Sequence, residues 1–202
     1  NFSDLKTISF EINSRPVIIN EIAWMGTGRD HNLSNDEWIE LYNRTNKTIN
    51  LNNFILYSSK SSPYIKLQNQ IPPKGYYLLE RTSDNAVSDI PANQIFTGSL
   101  NNRNENLFLT YVSNSGTTTL DYTYFCNVGG YWCGGNGSDM YATMERYNEH
   151  ENILGTNMQH IRNGKNAEGG LINGTPKARN SLNYLISTTT AYVLQDTILK
   201  KE

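Results

Sequence analysis

Two short segments constrain this chain more than any others: Val17-Ile18-Ile19-Asn20-Glu21-Ile22 and Asp36-Glu37-Trp38-Ile39-Glu40-Leu41-Tyr42-Asn43. Both are rich in apolar, β-branched residues, and both run into turn-forming residues. In an extended second segment, Ile39 and Leu41 point to one face while Trp38, Glu40 and Tyr42 point to the other. The rest of the chain repeats this grammar. Strands are predicted over 17–24, 37–43, 64–67, 76–81, 106–112, 117–124 and 141–147, with 49–57 an edge contact followed by a strand and 94–96 a short segment after a loop. Turn signals such as Ile71-Pro72-Pro73-Lys74-Gly75 and Ser113-Asn114-Ser115-Gly116 separate them. Beyond 147 the chain is polar and rich in Gly and Asn to about 180, and an amphipathic helix is expected only over 193–201. Many short strands at regular spacing predict an all-β sandwich.

Composition supports that reading. Charged residues are only 18% of the chain, so Asn, Ser, Thr and Gln must build much of the polar surface. The 202 residues suffice for one all-β domain with extensions. The net charge of −2 and scattered Lys and Arg argue against nucleic acid and against an acidic membrane surface as partners. No apolar run approaches the ~20 residues of a membrane span. The first residue, Asn1, suggests a processed or trimmed chain, so the lack of a signal pattern says nothing about the precursor.

Cys126 and Cys133 bracket a short loop rich in Gly and aromatics. A disulfide closing this loop is geometrically easy and would indicate an oxidising compartment. Two free thiols are the alternative. A zinc site is disfavoured because such sites take four Cys or His ligands and no His lies nearby in sequence.

The ordered set of segments resembles the lamin tail domain, in its bacterial secreted form. The residues that carry this are the two opening strands, then Ile49-Asn50-Leu51 with Phe54, and Ile71 to Tyr77. Gly98-Ser99-Leu100, Asn104-Glu105-Asn106-Leu107 and Leu120-Asp121 follow. Thr143-Met144-Glu145-Arg146 and Gly174-Thr175-Pro176-Lys177-Ala178-Arg179-Asn180-Ser181 end the set. The resemblance implies an immunoglobulin-like β-sandwich over 16–181, with a short N-terminal extension (1–15) and a C-terminal extension or linker (182–202). It also implies a non-catalytic module, found in nuclear lamins and on bacterial secreted or surface proteins, where some relatives are joined to nucleases or other hydrolases. The chain departs from the family pattern at the Cys126–Cys133 loop and in its two extensions.

Candidate sites follow from residue chemistry. Glu21, Asp36, Glu37 and Glu40 lie in or beside the first two strands. Asp30, Asp36 and Glu37 form the candidate oxygen set for calcium, the one cofactor considered. The competing expectation is that Glu37 or Glu21 accepts loop N–H groups while the other carboxylates stay solvated. The same acids could in principle serve as a glycosidase pair. His31, His150 and His160 show no metal-ligand spacing, and no nucleophile elbow is present. Aromatics are the better lead, since Trp24, Trp38, Tyr57, Tyr76, Tyr77, Tyr131 and Trp132 exceed what a small core needs. Exposed Trp and Tyr can stack on sugars or anchor a protein. Trp132 is expected to be the exposed binder, with Tyr131 and Trp24 beside it. Ile8, Phe10 and Ile12 alternate as a donated assembly strand would.

The expected protein is therefore a non-enzymatic structural or protein-interaction module, secreted or at the cell surface. A protein partner or self-association into filaments or a surface layer is expected. The alternative is an accessory domain that docks a hydrolase onto carbohydrate or nucleic acid.

Overall fold

The computed structural model describes residues 15–29, 33–124, 126, 129–138, 140–148, 154–157 and 162–182. Ile8, Phe10, Ile12, Asp30, His31, His150, His160 and the segment 193–201 lie outside them. Among the described residues there are twelve strands, ten of them in two main sheets. In chain order they are β1 (Val17–Ala23), β2 (Trp38–Asn43), β3 (Ile49–Asn50), β4 (Phe54–Ser58), β5 (Tyr64–Lys66), β6 (Gln70–Ile71), β7 (Tyr76–Arg81), β8 (Gln94–Phe96), β9 (Leu107–Ser113), β10 (Gly116–Tyr122), β11 (Met144–Arg146) and β12 (Leu154–Thr156).

A six-stranded sheet has the order β12-β11-β1-β2-β7-β8, and a four-stranded sheet has the order β10-β9-β4-β5. A small β3-β6 pair sits apart. All pairings are antiparallel except β7 with β8. The inner faces bury Val17, Ile19, Ile22, Ile39, Leu41, Tyr77 and Leu79 against Phe54, Leu56, Ile65, Leu107 and Leu109. This alternation is what makes each strand's sequence read as it does.

Two β-bulges adjust the alternation. In β1 the register shifts between Ile19 and Glu21, so Asn20 is the extra residue. Strict period two would send Ile19 and Ile22 to opposite faces; the bulge lets both enter the core. A second bulge in β10, between Thr119 and Asp121, turns Asp121 inward. There Asp121 accepts the Ile19 N–H (2.8 Å) and pairs with the buried guanidinium of Arg146 (2.5 Å), while Arg146 Nε donates to the Ile19 carbonyl (2.9 Å). This corner ties the two sheets together and satisfies the backbone where β11 stops.

The expected strand over 141–147 is shorter, Met144–Arg146. Strand β12 lies in the polar stretch where no strand was expected; it pairs with β11 through Met144↔Thr156, Glu145↔Gly155 and Arg146↔Leu154.

Candidate functional site

The acids come first, because the structure overturns half of the expectation for them. Glu145, Glu21 and Glu40 stand in one rank across β11, β1 and β2, since Glu21 is opposite both Glu145 and Glu40. All three are fully buried rather than solvated. The reason lies far along the chain. Residues 173–182 cross the outer face of the six-stranded sheet and deliver donors to these carboxylates. Thr175 gives its N–H and hydroxyl to Glu21, both at 2.8 Å, and Thr143 adds its hydroxyl at 2.5 Å. Lys177 N–H reaches Glu40 at 2.5 Å, and Asn20 Nδ2 reaches it at 2.9 Å. Glu145 accepts from Asn157 (2.7 Å), the Ser181 hydroxyl (2.6 Å) and the Leu182 N–H (3.2 Å), and its Oε1 lies 2.9 Å from the Thr175 hydroxyl oxygen that it shares with Glu21.

Gly174 admits this close crossing. A Cβ there would lie 2.8–2.9 Å from Thr143, Glu21 and Trp38. Burial pushes Glu21 well above the usual carboxylate range, and its neighbours Glu145 and Glu40 push it further; hydrogen bonds from Thr143 and Thr175 oppose them. Glu40 is pushed up to about 8, again chiefly by burial. The rank is closed to solvent, so it acts as a structural fastening.

Glu37 is likewise committed. It accepts the Leu100 N–H at 2.8 Å and pairs with Arg81 at 3.3 Å, and burial raises it to about 7. Asp36 is also raised by burial, against the pull of Arg81. Among the described residues, no three His, Cys, Asp or Glu side chains gather as a metal site.

The aromatics behave differently. The loops after β1, after β8 and after β10 meet at one end of the sandwich. Cys126 and Cys133 are joined by a disulfide, with their Cα atoms 4.9 Å apart. The bridged loop folds back over the end of β1 and carries Trp132 inward. Trp132 is only 5% exposed, contrary to the expectation of an exposed binder. It stacks on Trp24 (centroids 6.4 Å, planes 16° apart) and donates Nε1–H to the Asn101 carbonyl at 2.9 Å. Trp24 donates its own Nε1–H to Gly134 at 2.9 Å. Gly135 (φ 84°) lets the backbone pass this indole, since a Cβ there would come within 2.4 Å of Trp24 Nε1.

Beside this buried pair opens a cleft of about 490 Å³, lined by Trp24, Met25, Arg103, Tyr131, Trp132 and Ser138 among others. All three aromatics singled out in the sequence border it. Tyr131 is the exposed one, at 44%, with the Arg103 guanidinium 4.2 Å from its ring centroid. Arg103 also donates to the Tyr131 hydroxyl. Sequence reasoning missed Arg103, because the β8–β9 loop gives no sign that it packs beside the cysteine loop, and it missed Met25, which follows Trp24 after β1. Among the described lining residues there is no carboxylate, His or Lys. The cleft's size suits a ligand or a protruding side chain.

No curated protein matches the chain. A family model described as Lamin Tail Domain matches residues 11–125. The match spans more than half of the chain, which belongs to the lamin tail domain family and carries its immunoglobulin-like sandwich.

Proposed function

We propose that this protein is a non-enzymatic interaction module of an exported protein, secreted or held at the cell surface, that grips a protein partner at its loop-end cleft. The observation that carries this reading is the contrast between closed acids and open aromatics. The buried glutamate rank has its oxygens engaged by backbone and side-chain donors, whereas the accessible cleft presents Tyr131 and Arg103, residue types that anchor interfaces. The disulfide supports an oxidising compartment. No helix among the described residues is long and apolar enough to cross a membrane.

Self-assembly is the second reading. The four-stranded sheet ends in the edge strands β10 and β5, and edges accept added strands. The alternating Ile8, Phe10 and Ile12 are the candidate donor. Calcium, if it binds, would use Asp36 and Glu37 with Asp30.

Light scattering of the non-reduced protein after chromatography tests both. The intact chain, a form lacking 1–15 and Tyr131→Ala are compared over a range of concentrations. Assemblies that shrink to monomer without 1–15 support strand donation. Assemblies that shrink in Tyr131→Ala support the cleft as contact. A monomer throughout overturns self-assembly and leaves the cleft to a different protein.

A further inference from the structure

The outer face of the four-stranded sheet carries a second rank of side chains, and nothing in the described residues covers it. Tyr64, Tyr57, Phe108 and Tyr122 stand directly opposite one another on β5, β4, β9 and β10. Consecutive ring centroids lie 6.2, 5.4 and 6.3 Å apart, with planes 37°, 23° and 22° apart. The rings thus overlap like tiles in one line across the whole sheet, roughly 14 Å at ~4.8 Å per strand. Tyr124 closes the row edge-on at 4.8 Å from Tyr122, their hydroxyls 2.8 Å apart. Tyr64 is 57% exposed, Tyr122 38% and Tyr124 41%. Tyr57 and Phe108, between them, are half-buried. Cross-strand aromatic pairs do stabilise a sheet, but that role asks for neighbours, not for a row that spans the sheet with exposed rings at both ends.

We propose that this row is a docking strip for an unbranched, uncharged polysaccharide, separate from the cleft. Shape gives the first argument: a straight line of rings fits a linear polymer of ring-shaped units better than a rounded protein surface. Chemistry gives the second. Tyr rings offer apolar faces for the C–H faces of sugars, and their hydroxyls offer hydrogen bonds at the rim. Thr117 and Thr119 expose further hydroxyl-bearing side chains on β10. Charge gives the third. Along β4, β5, β9 and β10 the only charged residues are Lys66 and Asp121. Asp121 is buried against Arg146, with Arg15 at 3.4 Å. Single-stranded nucleic acid also stacks on aromatic rows, but it needs several cations along its phosphates, and these strands supply only Lys66. An uncharged polymer matches an almost uncharged face.

The test is adsorption of the full, non-reduced chain to microcrystalline cellulose and to chitin, with Tyr64→Ala, Tyr122→Ala and the cleft variant Tyr131→Ala alongside. The protein should be retained on at least one polymer, and retention should survive high salt. Each row variant should weaken it about tenfold, while Tyr131→Ala should bind as the parent does. That last result separates the strip from the proposed function, because the cleft can fail without the strip and the reverse. Retention on neither polymer overturns the proposal, as does equal retention of the row variants. Retention abolished by salt, or preference for an oligothymidylate, overturns it in favour of nucleic acid. A dimer whose mass falls in Tyr64→Ala overturns it in favour of a second copy.

Discussion

Each outer face of the sandwich carries one rank of side chains that crosses the strands, and the two ranks are opposites. On the six-stranded sheet the rank is Glu145–Glu21–Glu40, buried beneath residues 173–182. On the four-stranded sheet it is Tyr64–Tyr57–Phe108–Tyr122, exposed at its two ends and half-buried at Tyr57 and Phe108. Carboxylates directly opposite in a sheet repel once ionised, and burial adds a desolvation cost. The acid rank therefore persists only because loop N–H groups and hydroxyls satisfy it. The aromatic rank needs no such cover, since its rings tolerate both neighbours and solvent. Polarity alone thus does not say which face is inside. What decides it is whether the chain brings donors to the acids.

The contrast can be broken most severely at Glu145. Glu145→Ala removes the acceptor for Asn157, Ser181 and Leu182 and strands those buried donors. Stability should fall by roughly 3–5 kcal/mol in urea unfolding, and proteolysis of the native protein should become fast within 162–182. Next in size is Trp132→Ala, which empties the buried stack on Trp24. It should cost about 3 kcal/mol, more than any change at an exposed ring. Reducing the disulfide opens a short loop (Cys126 and Cys133 are seven positions apart). The loss should be about 2 kcal/mol, read as a drop in Tm with reductant.

A pH series sharpens the comparison further. Glu40 sits at about 8 and Glu37 and Glu80 at about 7 in the folded protein, above the ordinary carboxylate value of 4.5. The folded state therefore holds protons that the unfolded chain releases. Their stabilising contribution is whole below about pH 4.5 and is lost as pH rises through 7 and 8. The urea midpoint should decline between pH 5 and pH 8, and Glu40→Gln should flatten that decline. The smallest effect is expected at the aromatic rank. Tyr64→Ala should change stability by less than about 0.5 kcal/mol, even where it removes polymer binding.

Much of the fold was legible. Strand β7 falls where a buried strand was expected, and the order of strand signals led to the sandwich. The β1 bulge was not legible, because Val17-Ile18-Ile19 is apolar throughout and hides its period. Strand β12 was missed because Leu154-Gly155-Thr156 has no strand pattern of its own; it is made by pairing with β11. The acids were misjudged because their donors come from up to 154 positions away. Trp132 was misread for a related reason. A Gly-rich loop suggests exposure, yet its glycines let the loop fold back and bury the indole. The cleft was half visible: the aromatics could be named, but Arg103 could not be assigned to it.

The dependence of the acid rank on residues 173–182 also bears on the order in which the protein is made. Glu21 leaves the ribosome long before Thr175, the residue that satisfies it. A nascent chain cut short of Gly174 holds three glutamates on central strands without the donors that permit their burial. The six-stranded sheet thus lacks these donors until residues 173–182 have been made, so this late segment completes the burial of strands made early.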